Sequence, residues 1–334
     1  MTVSARSRAD VAAALQDIQA PVRARLDRVS GEIWRIVATD LAIADEVNQH
    51  LAAMKGKMFR PTLVLLSSAV DDTPEERAIP IAATLEVLHL ATLVHDDAVD
   101  HSVLRRGMPT INALFSHQVS VIMGDFLYAR ALTELVRLND WDVARVFADA
   151  STTMTLGEMR QLGAIDALAF SEDDYDALIR AKTASLFRAA CELGALTGAR
   201  RHREALVRYG ERLGMAFQVA DDLLDYTEGQ EMTGKPTGLD LREHKVTLPL
   251  IAALRSMAPA GRRSVEELFA TAEPTDAQVA EIIALVSEHG GLEYARRRGD
   301  QFAREAEEAL ADLPDTPVRA SLVDAIGYVL DRRW

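Results

Sequence analysis

The 334-residue chain has little with which to cross-link or stack itself. Its single cysteine, Cys191, excludes an intramolecular disulfide and a cysteine-built metal centre. Aromatic residues make up only 5%, and 18 glycines with 11 prolines are too few for a collagen-like or low-complexity chain. No stretch alternates convincingly at period two, so no strand is predicted. Apolar runs such as residues 63–66 fall far short of a membrane span. The opening MTVSARSRADVAAALQDIQA has no apolar signal core. The expectation is a cytoplasmic protein with no membrane span. Positive charge is also lacking. At a net charge of −14, the body repels nucleic acid, which is excluded as a partner. A small anionic substrate would need a local nest of basic residues or a divalent cation. No Ser/His/Asp or Cys/His nucleophile set is visible.

What the chain does have is helical periodicity nearly throughout. Thr73-Pro74-Glu75-Glu76, Ser171-Glu172-Asp173-Asp174 and Thr275-Asp276-Ala277-Gln278 read as helix starts, the last two as capping boxes. Pro61 is expected at the first position of a helix running through LVLLSSAV. The pattern predicts helices over 10–28, 30–53, 75–101, 109–138, 141–163, 174–197 and 201–229, with five more to residue 332. The fold expected is a single all-α domain over 1–334, a bundle of about a dozen helices around a central cavity. Two smaller helical domains are the alternative, but nothing marks a boundary.

The most informative stretch is His95-Asp96-Asp97-Ala98-Val99-Asp100. In a helix, residues four apart share a face about 6 Å apart along the axis, so Asp96 and Asp100 project together. The spacing recurs at Asp221-Asp222-Leu223-Leu224-Asp225, again in an apolar helical context. One such box is common on solvated helix faces. Two boxes in apolar stretches are costly unless a counter-charge is present. All-oxygen ligands suit Mg²⁺, which bridges to substrate phosphates. Basic residues accompany the boxes: Lys57 and Arg60 in GKMFRP, Arg105 and Arg106 after the first box, Lys182 in RAKTASLF, and Lys235 and Lys245 after the second. Each alone would read as an ordinary surface cation. Carboxylates with Mg²⁺ and Lys/Arg are what holding and ionising a diphosphate requires.

The blocks GKMFRP, LVHDDAVDHSVLRRG, MGDFLYARAL, LGEMRQL, KTASLF, FQVADDLLDYTEG and GKPTGLDLREHKVTLPLI resemble, in order, those of the trans-isoprenyl diphosphate synthases, the polyprenyl synthetases. The resemblance is strong over residues 50–255. It implies a Mg²⁺-dependent transferase that condenses isopentenyl diphosphate with an allylic diphosphate such as farnesyl or geranylgeranyl diphosphate. By this resemblance Asp96 and Asp100, with Asp97 supporting, would hold two Mg²⁺ ions. Asp221, helped by Asp222 and Asp225, would hold a third. Arg105, Lys182, Lys235 and Lys245 would grip the allylic diphosphate, with Thr183 and Gln218 lining the place where the allylic cation forms. Lys57, Arg60, His89 and Arg106 would bind isopentenyl diphosphate; His89 lies two helical turns before Asp96 on the same face. His95 and His101 are read as outside the chemistry. One departure is His244, where the family usually has glycine before the lysine. A homodimer is also implied.

Product length is read from the face below Asp96, which carries Thr92, Leu88 with His89, and Leu85, with Ala91 five residues before Asp96. Short-chain members carry a bulky aromatic four or five positions before the box. Here both positions are small, so a long product is expected, heptaprenyl to decaprenyl. Val121, Ile122 or Met123 on a neighbouring helix are the alternative stops, and a geranylgeranyl or medium-chain product the alternative outcome. Two readings of another class are a class I terpene cyclase and a non-catalytic subunit of a heteromeric synthase. The intact pair of boxes and the cations Lys57, Arg60 and Arg106 weigh against both.

Overall fold

The structure, a computed structural model, describes residues 8–54, 56–162, 167–227 and 237–331. It is all-α. The helices of seven or more residues are α1 (Arg8–Gln19), α2 (Arg23–Val37), α3 (Ala42–Ala53), α4 (Phe59–Ser68), α5 (Ala78–Val99), α6 (His117–Leu138), α7 (Trp141–Leu162), α8 (Glu172–Ile179), α9 (Ser185–Leu196), α10 (Arg203–Thr227), α11 (Leu248–Leu254), α12 (Pro259–Ala270), α13 (Asp276–Glu288), α14 (Gly291–Ala309) and α15 (Pro317–Leu330). Both predicted capping boxes form, at Ser171 with Asp174 and at Thr275 with Gln278.

Several predicted boundaries change. Pro21 lies in a 3₁₀ turn that separates α1 from α2, and residues 38–41 break the predicted 30–53 helix. Residues 73–77 form a turn, and the helix placed there starts at Ala78. Pro61 sits third in α4, where its missing N–H still costs no helical bond. The predicted 174–197 helix contains a π-helical turn, Arg180–Ala184. The absence of strands is corrected by one two-residue hairpin, Leu104–Arg105 against Met108–Pro109.

α9 is the axis of the fold. Every residue of it except Arg188 is buried, as suits a helix wrapped by others. α4, α5, α7 and α10 all pack on it. Gly194 permits the closest crossing, since a Cβ there would stand 2.4 Å from the Val64 carbonyl oxygen of α4. α5 is apolar and long enough by composition to cross a bilayer, contrary to the reading from short apolar runs, but most of it is buried in the bundle. A second, smaller core joins the end of α10 to α11, α12 and α13 through Tyr226, Leu241, Leu250, Leu268 and Val279. α5 and α10, which carry the two aspartate boxes, are thus held on either side of α9 with their C-terminal ends at the same end of the bundle.

Candidate active site

Both boxes occupy the last two turns of their helices. Asp96 and Asp97 lie on the final turns of α5 and Asp100 is its C-cap; Asp221, Asp222 and Asp225 end α10. The helix dipole is negative at this end, so carboxylates here raise the demand for cations further. In the first box, burial pushes the Asp96 carboxyl up to about 6, with Lys182 pulling it down and Glu158 pushing it up. Asp97 is buried and accepts Arg105 Nε–H on both oxygens, at 2.9 and 2.8 Å. Its role is to hold Arg105. Arg105 is placed by the hairpin, whose turn residues Arg106 and Gly107 both have positive φ, +54° and +75°, as a two-residue type I′ hairpin requires.

The second box divides in the same way. Asp221 is exposed at the rim, whereas Asp222 is buried. Asp222 accepts the Tyr175 hydroxyl at 2.5 Å and the Gln218 amide at 2.8 Å. Thr183 in turn donates to Gln218 Oε1 at 2.6 Å. Burial raises the Asp222 pKa, and the two hydrogen bonds oppose the rise. Asp225, expected beside Asp221 as a metal ligand, also supports the chain that follows. Its two oxygens accept the backbone N–H groups of Leu239 and Asp240, both at 3.0 Å. It caps the segment that leads to Lys245.

The cations face the boxes. Lys182 sits on the π-helical turn, a feature often found at functional sites. It pairs with Glu158 at 2.6 Å and donates to Gln161 at 3.3 Å. Lys245 pairs with Glu243 at 2.7 Å and stands 3.8 Å from Asp100, which joins the tail of the second box to the end of the first. Lys235 lies outside the described residues. His244 has φ +55°, a conformation that glycine takes without cost and histidine at about 1–2 kcal/mol. Its ring is fixed by a hydrogen bond to the Thr271 carbonyl at 2.9 Å and by the Phe269 ring at 5.7 Å. The side chain thus anchors the Lys245 loop to the second core.

The remaining predicted cations form a group of their own on the other side of α5. Met58, at φ +53°, turns the chain between Lys57 and the first turn of α4. Arg60 lies over the Phe187 ring at 4.9 Å, and its Nη1 donates to His89 Nε2 at 2.9 Å. Lys57 stands over the Tyr328 ring at 5.7 Å. Arg106 reaches the Met54 carbonyl at 3.5 Å. Burial, with Arg60, Arg106 and Arg105 adding to it, holds the His89 pKa well below the usual imidazole value. His89 is therefore neutral. Because Nε2 accepts, the proton is on Nδ1, which has no hydrogen-bond partner among the described residues. His95, read as outside the chemistry, touches the Val121 carbonyl and Asp125 across α6, at 3.2 and 3.3 Å.

Along the chain-length face, Leu85, Leu88 and Ala91 are buried and Thr92 is half-buried, its hydroxyl donating to the His89 carbonyl. Of the alternative stops on α6, Met123 is buried, Val121 is half-buried, and Ile122 points outward at 67% exposure. Glu86, Glu158, Gln161, Tyr175 and Asp240 belong to the site but were not singled out from the sequence. Glu158 and Gln161, three residues apart in LGEMRQL, share a helix face and were legible on that ground. Asp240, its pKa raised by burial and by Asp222 and Asp225, carried no such signal. Among the described residues no three acidic, imidazole or thiol groups stand close enough to hold a cation unaided.

The polyprenyl synthetase family model matches residues 42–286. An all-trans-nonaprenyl-diphosphate synthase (geranyl-diphosphate specific) of Rhodobacter capsulatus is 39% identical over 319 residues, 95% of this chain and 98% of the relative. Octaprenyl diphosphate synthase of Escherichia coli K12 is 35% identical, covering 91% of this chain and 94% of the relative. Among solved structures, a polyprenyl synthase from Caulobacter crescentus CB15 complexed with calcium and isoprenyl diphosphate superposes at a TM-score of 0.91. It is 34% identical and covers 96% of this chain and 98% of its own.

Two expectations follow from the geometry. The folded-state pKa of Asp96 lies above its unfolded value. Its contribution to stability is therefore full below about pH 4 and lost as pH rises through about 6. A divalent cation binds the ionised form, so Mg²⁺ will raise the melting temperature more at pH 8 than at pH 5; equal shifts would refute this role for Asp96. The second expectation concerns His244→Gly. It relieves strain but frees the Lys245 loop, so the melting temperature will change little while the affinity for inorganic diphosphate falls about threefold to tenfold. Calorimetric titration showing unchanged affinity would sink the anchoring role.

Proposed function

The chain belongs to the polyprenyl synthetase family, and on that premise we propose that it condenses isopentenyl diphosphate head-to-tail onto an allylic diphosphate, giving an all-trans polyprenyl diphosphate of seven to ten isoprene units. The observation that carries this reading is the convergence of the two aspartate boxes on one end of the bundle, with separate sets of cations on the two sides of α5. Asp96 and Asp100 from α5 and Asp221 from α10 would hold Mg²⁺ ions, three by analogy with the family. The metal supplies charge neutralisation for the departing diphosphate. Arg105, Lys182 and Lys245 hold that diphosphate as the allylic C–O bond breaks with its electron pair on oxygen. Thr183 and Gln218, fixed by the Tyr175–Asp222 hydrogen bond, line the place where the cation forms. Lys57, Arg60 and Arg106, with the Nδ1–H of neutral His89, hold isopentenyl diphosphate so that its double bond attacks the cation. The proton lost in the closing elimination goes to the released diphosphate. No side-chain nucleophile is needed.

The small residues Ala91 and Thr92 leave the first turns below Asp96 without an aromatic stop, which supports a long product. Purified protein incubated with Mg²⁺, labelled isopentenyl diphosphate and each of geranyl, farnesyl and geranylgeranyl diphosphate will give products that end at seven or more units after dephosphorylation. A ladder ending at four units would overturn the length. Consumption of farnesyl diphosphate without incorporation would indicate a terpene cyclase, and no turnover by the chain alone a subunit that needs a partner.

The enzyme is further proposed to act in the cytoplasm as a homodimer. α6 carries an outward stripe at three- and four-residue spacing, Ile122, Asp125, Ala129, Leu132 and Val136, with Val136 79% exposed. α7 continues it with Leu156 and Met159. Apolar surface of this extent on two adjacent helices suits a self-complementary contact with a second copy. Sedimentation equilibrium will give twice the chain mass, and Leu132→Glu with Val136→Glu will halve it; a wild-type monomer would remove the dimer.

A further inference from the structure

Glu86 is a carboxylate on the buried side of α5, one helical turn before His89, and only 7% exposed. Its Oε2 has no hydrogen-bond partner among the described residues. Burial raises the Glu86 pKa, and the charges of Arg60 and Arg106 are the two that oppose that rise. Gly56 lies at the same junction: a Cβ there would meet Arg106 Nη1 at 3.5 Å and Glu86 Oε1 at 3.6 Å. The charge of a buried carboxylate is tolerated only against cations, and breaking such a set by removing one partner costs more than the set itself contributes.

We propose that Glu86 is the positioning residue of the isopentenyl diphosphate pocket: it holds Arg60 and Arg106 from behind, in the orientation that receives the diphosphate. This rests on the assignment of Lys57, Arg60, His89 and Arg106 to that substrate under the proposed function. Without a counter-charge, two arginines and a lysine gathered round a small pocket repel one another and splay, and each must be ordered again when the substrate binds. An ionised Glu86 also repels the diphosphate. Positioning dominates because Arg106 Nη1 and Glu86 Oε1 come together at the Gly56 junction, while Lys57 leaves the pocket with excess positive charge. Arg60 is further braced by the Phe187 ring and by His89, so the effect of losing Glu86 falls most on Arg106, which the hairpin turn delivers from another segment.

The test is Glu86→Gln, which keeps the shape and removes the charge. The KM for isopentenyl diphosphate, and its Kd measured by calorimetry, will rise about tenfold or more. The KM for the allylic substrate will stay within about twofold of wild type. A folded Glu86→Gln protein whose isopentenyl diphosphate affinity is unchanged or tighter overturns the proposal, as does an equal loss for both substrates. Should Glu86→Gln fail to fold, Glu86→Asp retains the charge one methylene shorter. Combined with Arg106→Gln in a double-mutant cycle, its effect on the KM for isopentenyl diphosphate will be strongly non-additive; additivity overturns the proposal. If the wild-type enzyme itself does not bind isopentenyl diphosphate, it is the assignment of the pocket that fails; normal wild-type binding with an unaffected Glu86→Gln protein removes Glu86 alone.

Discussion

Negative charge at the negative ends of two apolar helices is the constraint on which this structure turns. α5 and α10 each finish in aspartates, where the helix dipole and the neighbouring carboxylates disfavour ionisation together. The fold resolves this by committing one aspartate of each box internally. Asp97 is neutralised by Arg105, and Asp222 is held by Tyr175 and Gln218. Those contacts fix the side chains of Asp97 and Asp222, and under the proposed function it is Asp96, Asp100 and Asp221 that would meet cations and substrate. Burial is the chief cause of the raised Asp96 pKa, with Glu158 and Asp100 adding to it against Lys182 and Arg105.

The second regularity lies in the backbone. Non-glycine residues with positive φ occur beside four of the candidate site segments: Met58 next to Lys57, His101 next to Asp100, Arg106 itself, and His244 next to Lys245. A left-handed residue reverses the chain within one step, so a side chain at the edge of a helix is turned into the site rather than along it. Each such residue stores about 1–3 kcal/mol of strain, which the packed helices on either side can hold. Histidine at 244 goes further, because its ring adds an anchor that glycine lacks.

Much of this was legible in the chain, and what was not has physical causes. The helical spans, both capping boxes and both aspartate boxes followed from spacing, because they are local. The break at Pro21 is local, since proline interrupts a helix interior, but a period of 3.6 residues does not report it, nor does it report the hairpin or the π-helical turn at Arg180–Ala184. The partners of the site residues were harder still. Tyr175 and Asp222 are 47 residues apart, and Lys182 and Glu158 belong to different helices. Pairs of this kind depend on tertiary structure alone. Asp225 is a case of the same kind: its spacing from Asp221 matches that of Asp100 from Asp96, but its hydrogen bonds from the Leu239 and Asp240 N–H groups were not legible from spacing.

Under the proposed function, the single helix α5 would serve two substrates. At 3.6 residues per turn, Glu86, His89, Leu93 and Asp97 form one stripe, and Leu85, Leu88, Thr92 and Asp96 another, about a quarter turn away. The first stripe meets Arg60 and Arg106 through Glu86 and His89, and Arg105 through Asp97. The second carries leucines and Thr92 below Asp96. Under the proposed function the lower part of the polar stripe would hold the substrate that is added, Asp97 would hold the Arg105 that grips the departing diphosphate, and the leucine stripe would face the tail that grows. A single rigid element would then set the distance between the attacking double bond and the departing diphosphate, and a longer product would extend only along the leucine stripe. Catalytic geometry and product length would in this way be carried by the same helix yet be separable by face, so that a change at Leu85 or Leu88 would alter where growth stops without moving Asp96.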